Sequence, residues 1–298
     1  MPVPSRNKKA TVEQHLAALH ELRHADPLPL DELRAALGHA SNAVVAKAAQ
    51  IAGDRLASAL APDLAAAAAR FFTKPDLQCI AKIALLRALK AIEHLEPEMF
   101  YRGLRHVQME PSWGGSVDTA APLRAISALA ISECHAIPPR DALRLLIDAL
   151  PDKETLTRVD LIRAIGQINS LEADVVLRTK ARLGDPDAEV IGQCLFTIVE
   201  RESTAAFPFV ESFLTNPDLR IDAAMAIAAQ RGPEALAILT QAWQRTREPE
   251  ILLAIGTLRT PEAVAWLLPM LENERGVRDA LEPCRHFPGV EDALAESR

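Results

Sequence analysis

The sequence predicts an all-α protein, an α-α superhelix of stacked helix pairs. Three observations carry that expectation. Hydrophobic residues supply 49% of the 298 positions and aromatics only 4%. Such an Ala- and Leu-rich mix favours packed helices over sheets, which draw on β-branched and aromatic side chains. From residue 139 onward, helix-length apolar stripes alternate with short polar turns: "LPDKET", "GDPDAE", "TNPD", "TREPE" and "NERG". Their Pro, Asp, Asn and Gly residues stop one helix and cap the next. The apolar residues that begin a helical stripe after these turns, Val159, Val190, Ile221, Ile251 and Val277, fall 31, 31, 30 and 26 residues apart. A helix on each side of a regularly recurring turn implies paired helices that bury their apolar faces only against neighbours.

The elements follow in order. Residues 1–10, "MPVPSRNKKA", show no apolar stripe and read as a flexible tail. "TVEQHLAALHELRHA" (11–25) is a lone helix that shields the first pair. "LDELRAALGHASNAVVAKAAQIAG" (30–53) is helix, turn and helix, and "DLAAAAARFFTKPDLQCIAKIALLRALKAI" (63–92) repeats that plan. "EPEMFYRGLRHVQ" (96–108) and "DTAAPLRAISALAIS" (118–132) form a third pair, split by the chain's longest irregular stretch. The regular repeats follow, and "VEDALAE" (290–296) closes the far end. Counted this way, residues 11–298 form one array of about eight helix pairs with capping helices.

Charge narrows the partners. The net charge is −7, with 15 Lys and Arg against 14 Asp and Glu before residue 137 and 18 against 26 after it. A neutral front and an acidic rear lack the basic footprint of a nucleic-acid binder. Cys79, Cys134, Cys194 and Cys284 each sit inside an apolar helical pattern with no CxxC pair among them, as expected of buried, reduced thiols in a cytoplasmic protein. The N-terminus lacks the apolar core of a secretory signal, and "DLAAAAARFF" is too short for a membrane span.

A second spacing recurs inside the pairs. An acid after the turn is followed six residues later by a cation in Asp76 with Lys82, Asp118 with Arg124 and Asp152 with Arg158. Ser41 with Lys47 is a variant, and the pattern lapses at Asp187 with Gln193 and at Asp218 with Ala224. The acid is placed to cap the second helix, worth about 1 kcal/mol at Asp76, and the cation to reach the acid of a neighbouring repeat. These residues resemble HEAT repeats in their short bacterial form. The resemblance implies a right-handed solenoid of ARM type over nearly the whole chain beyond residue 10. Residues 42–53 and 107–124 resemble segments of bacterial HEAT-repeat proteins of uncharacterised function.

Several motifs invite chemistry and are better read as structure. In "HELRH", His20 and His24 are spaced to share a helix face and hold zinc beside Glu21, but no third ligand follows in a suitable helix. Cys134-His135 and Cys284-Arg285-His286 are isolated pairs. Gly114-Gly115 belongs to no phosphate-binding loop, and "FPFVESFL" (207–214) carries core residues at helical spacing. No cofactor or metal site is expected.

The stretch "QMEPSWGGSVDTAAPLR" (108–124) stands apart. It reads in two ways. As a connection, Gly114 and Gly115 make tight turns, Asp118 caps the next helix, and Trp113 folds back over apolar surface. No second aromatic accompanies Trp113 in the loop, which favours this plug. As a contact loop, Glu110, Trp113, Gly114, Gly115 and Asp118 meet a partner beside a concave groove lined by Lys47, Lys82, Arg87 and Arg124. The preferred function is a non-enzymatic scaffold binding an unidentified protein or peptide along that concave surface, which gives an acidic segment a place to dock. The alternative is a HEAT-like alkylpurine glycosylase or other nucleic-acid binder, to which Trp113 and Asp118 correspond by resemblance and against which the charge argues. HEAT-like lyase subunits and metal-dependent hydroxylases form a third class; the latter use repeated His-Glu pairs, and only His20-Glu21 is present.

Overall fold

The computed structural model describes residues 11–297, so the tail expected at 1–10 lies outside the described residues. Packing groups the chain into two compact units, one ending at Ile168 and the other beginning at Asn169, whereas repeat spacing alone leads to one array over 11–298.

The first unit opens with α1 (Val12–Leu22) and continues as four helix pairs: α2 (Leu30–Leu37) with α3 (Asn42–Asp54), α4 (Ala61–Phe71) with α5 (Ile80–Ala91), α6 (Pro97–Leu104) with α7 (Ala121–Glu133), and α8 (Pro139–Ala149) with α9 (Thr155–Gln167). Each first helix packs on its own partner, and the second helices pack in series, α3 on α5, α5 on α7 and α7 on α9. The sequence dictates both kinds of helix. A first helix has one dry face, so α8 buries Ala142, Leu143 and Leu146 and turns Arg140, Asp141 and Arg144 to water. A second helix is flanked on several sides, so α3 buries Val44, Val45, Ala48, Ala49, Ile51 and Ala52 and has little room for polar residues. Proline at the first or second position starts α4, α6, α7 and α8, where its missing N–H costs nothing. α1 begins at a capping box: Thr11 N–H donates to Gln14 Oε1 at 2.8 Å and Gln14 N–H to Thr11 Oγ1 at 3.3 Å.

The second unit holds four more pairs: α10 (Leu171–Leu183) with α11 (Ala188–Glu202), α12 (Phe207–Glu211) with α13 (Arg220–Ala228), α14 (Pro233–Thr246) with α15 (Pro249–Thr257), and α16 (Pro261–Leu267) with α17 (Val277–Leu281). α18 (Val290–Glu296) follows, over the same residues that the sequence marks as a closing helix. α11, α13, α15 and α17 again pack in series. The spacing series has a plain origin, because Val159, Val190, Ile221, Ile251 and Val277 sit near the starts of α9, α11, α13, α15 and α17. All but Ile221, which is half-buried, are buried. Phe207, Val210, Phe213 and Leu214 are core, as the helical spacing predicts. Among the described residues no helix is long and apolar enough to cross a membrane.

Candidate functional site

Between α6 and α7 the chain leaves the helix-pair pattern. The stretch read as an irregular loop is a β-hairpin, β1 (Met109–Ser112) paired antiparallel with β2 (Gly115–Asp118), the only strands among the described residues. Met109 faces Asp118, Glu110 faces Val117, Pro111 faces Ser116 and Ser112 faces Gly115. Trp113 and Gly114 therefore form the two-residue turn. Gly114 has φ +90° with nothing within 4 Å of an added Cβ, so it serves backbone conformation and not close packing.

Trp113 at this tip is 105% exposed. The plug reading is thus wrong: a two-residue turn throws the indole away from the helices, and it covers no apolar surface. Nor is it isolated, since Val107, Met109, Val117 and the nearby Leu77 are also exposed. Directly paired residues share a face, so Met109 lies on the side of Asp118 and Val117 on the side of Glu110. The Met109 side walls a cleft of about 540 Å³ with Leu104, Val107, Leu145 and Pro151.

The base of the hairpin is fixed by a chain of buried charges. Asp76 accepts the backbone N–H groups of Ala81 at 3.1 Å and Lys82 at 2.9 Å, capping α5 as the six-residue spacing predicts. Asn42, on the preceding repeat, donates to the same carboxylate at 3.0 Å. The Lys82 ammonium lies 3.7 Å from Asp76, their side chains only 3% and 0% exposed, and donates to Gln108 Oε1 at 2.8 Å. Gln108 returns Nε2 to the Asp76 carbonyl at 2.7 Å and to Glu110, and Glu110 accepts Gln78 N–H at 2.7 Å. On the other strand, Asp118 accepts Gln108 N–H at 3.1 Å, Ala120 N–H at 3.0 Å and Arg124 at 2.7 Å. Arg124 then forks onto Asp152 of the next repeat at 2.6 and 3.0 Å and donates to the His106 carbonyl at 3.0 Å.

Electrostatics follow from this wiring. Burial pushes the Asp118 carboxyl up, but the two backbone N–H groups and Arg124 outweigh it and hold the group below the usual carboxylate range. Burial lowers His106, against the pull of its contact with Gln108, which disfavours the charged imidazolium. Burial likewise raises the Cys79 thiol despite the adjacent Lys82, which makes it a poor nucleophile.

The candidate residues therefore divide. Glu110, Asp118, Lys82 and Arg124 are brought together at the hairpin base, Trp113, Gly114 and Gly115 form its tip, and Lys47 lies apart. Lys82 and Arg124 are almost fully buried inter-repeat links whose donors are engaged by Gln108, Asp76, Asp118 and Asp152, and Arg124 reaches only the wall of the cleft beside Met109. Asp118 has both oxygens committed and offers no free carboxylate beside Trp113. Ser41 makes no side-chain cap for α3; its neighbour Asn42 links the repeats instead. Lys47 and Arg87 do face an open groove, between α3 and α5. His20 and His24 are both exposed, and α1 ends at Leu22, so the second histidine lies beyond the helix that would have aligned the pair.

Sequence reasoning passed over Gln108, which ties the hairpin to two repeats, and the strand itself. The signal was present: "VQME" alternates apolar and polar ahead of "SWGGS", a period of two followed by turn residues. The chain matches no family model and no curated protein. Among solved structures it is similar to YibA of Escherichia coli, at 16% identity and TM-score 0.49 over 95% of this chain and all of that one. It is also similar to human deoxyhypusine hydroxylase in complex with glycerol, at 18% identity and TM-score 0.32 over 94% of this chain and 92% of that one.

Proposed function

We propose that the protein is a non-enzymatic scaffold that binds a protein or peptide partner, with the hairpin tip as its anchor. The observation that carries this reading is a fully exposed Trp113 on a rigidly seated hairpin. Fully exposed tryptophan gains nothing in the free protein, whereas Trp is enriched among the residues that dominate binding energy. Val107 and Met109 add exposed apolar side chains on one face of the hairpin and Val117 on the other, and exposed apolar surface of this kind marks interaction sites. The seated base reduces the ordering cost of association. A protein partner suits the net charge of −7 better than nucleic acid does. The occupied oxygens of Asp118 also remove the Trp-and-carboxylate pair that would support a glycosylase. We place this function in the cytoplasm, where four buried, unpaired cysteines stay reduced.

The test has two steps. A photo-cross-linking residue at position 113 identifies the partner in cells, and purified partner is then titrated against wild type and Trp113→Ala. Affinity should fall by about 2 kcal/mol or more, roughly 30-fold, with an unchanged thermal midpoint. Equal affinity in the two proteins refutes the anchor.

A further inference from the structure

We propose that the groove between α3 and α5 docks an acidic segment of a partner protein, pairing its carboxylates with Lys47 and Arg87. This rests on the scaffold reading for the class of partner, but on a separate part of the surface.

The groove encloses about 680 Å³. Its floor is low because the helices meet closely: a Cβ on Gly53 would lie 3.1 Å from Ala88 Cα. Leu16 of α1 forms one wall, and Ile80, 37% exposed, and half-buried Ile83 line it from α5. The helices run 13 and 12 residues, so the groove is about 18–20 Å long at most. That length suits a peptide of about three helical turns.

Charge decides the occupant. In a chain of net charge −7, the cations lining this groove are Lys47, half-buried, and Arg87, exposed; neither makes a hydrogen bond or ion pair among the described residues. Neighbouring cations are spent: Lys90 of α5 is bonded to Glu133 at 2.8 Å, and Lys82 lies in the buried chain at the hairpin base. Asp54, the one acid in the lining, is already 3.5 Å from Arg23. The groove thus presents two uncompensated positive charges over an apolar bed. A segment with apolar residues on one face and Glu or Asp beside them complements both features, and opposite charge across an interface also selects against basic competitors.

The probe is a fluorescein-labelled 12-residue amphipathic peptide of Glu, Leu and Ala with blocked ends. Controls replace every Glu by Gln or by Lys, and fluorescence anisotropy is read with the full chain. We expect the Glu peptide to bind at least tenfold more tightly than the Gln peptide, the Lys peptide to bind no better than the Gln peptide, and Lys47→Gln/Arg87→Gln to weaken the Glu peptide about five- to tenfold, as two partly exposed pairs should. Ala84→Trp, which fills the groove and leaves both cations, should abolish binding. No binding of the Glu peptide, equal binding of the Gln peptide, affinity unchanged in the double variant, or displacement by millimolar inorganic phosphate alone overturns the proposal. Trp113→Ala should leave the peptide's affinity as it is, so failure of the hairpin anchor and failure of the groove show up in different variants.

Discussion

Replacing Arg124 by Met probes the joint between the hairpin and the repeats. Arg124 makes four side-chain hydrogen bonds, two to Asp152, one to Asp118 and one to the His106 carbonyl. Its side chain is 7% exposed and those of both aspartates 10%. Methionine nearly keeps the volume and removes the charge, so the loss is not a cavity but two carboxylates with no cation between them. Breaking a buried pair in this way costs about 3–5 kcal/mol. Asp118 keeps two backbone N–H donors and Asp152 keeps one, from Glu154, which sets the expectation at the lower end, about 3 kcal/mol. At about 2–4 °C per kcal/mol for a body of this size, the first unit's thermal midpoint should fall by roughly 10 °C, followed by circular dichroism at 222 nm. The pH dependence separates this cause from loss of packing. In wild type the Asp118 carboxyl is depressed, so its contribution is present above the unfolded value near 4 and is lost as pH falls through the lower folded value. In the variant the uncompensated carboxylates are relieved by taking up protons. The gap between the two proteins should therefore narrow as pH is lowered toward 4. Asp118→Asn/Asp152→Asn added to Arg124→Met should recover part of the loss at pH 7. A loss under 1 kcal/mol, or a gap that does not change with pH, refutes the charge argument.

Two further substitutions test the packing logic. Asp76→Ala should cost about 3–5 kcal/mol rather than the 1 kcal/mol of a surface cap, because it strands buried Lys82 and frees two α5 amides and Asn42; chemical denaturation at pH 7 measures it. Gly256→Ala places a methyl 1.9 Å from the Ala280 carbonyl oxygen, where α15 meets α17. It should destabilise by at least about 1–3 kcal/mol in a urea melt, while a neutral result would mean that the two helices separate freely.

How far the sequence led can be seen in particular residues. The helix pairs were legible because their signal is local and repeated: Pro, Asp and Gly punctuate the chain, and Val159, Val190 and Ile251 recur where the second helices start. Asp76 was legible as a cap, since capping is read within one turn of helix. What remained hidden needed the third dimension. Lys47 and Lys82 look equivalent on their stripes, yet Lys82 finds Gln108 from the next repeat's hairpin and is sealed, while Lys47 faces an open groove. Trp113 was misjudged because the lack of a second aromatic in the loop favoured a plug, whereas the strand pairing on either side of the turn decides where the indole points. Gln108 was passed over because a neutral amide carries no motif; its value lies in having both a donor and an acceptor at one junction.

Gln108 also determines how the hairpin responds to force. Its side chain holds Lys82 and the Asp76 carbonyl of one repeat, and its backbone N–H holds Asp118, which Arg124 ties to Asp152 of another. The four-residue strands make a lever of about 13 Å at strand rise, with Trp113 at its free end and this bonded junction as its fulcrum. A sideways load on the indole cannot be absorbed by bending one loop; it is divided among α5, α7 and the turn before α9. The hairpin is a post set in three footings, and a partner that grips its tip gains a handle on the spacing of the repeats beneath.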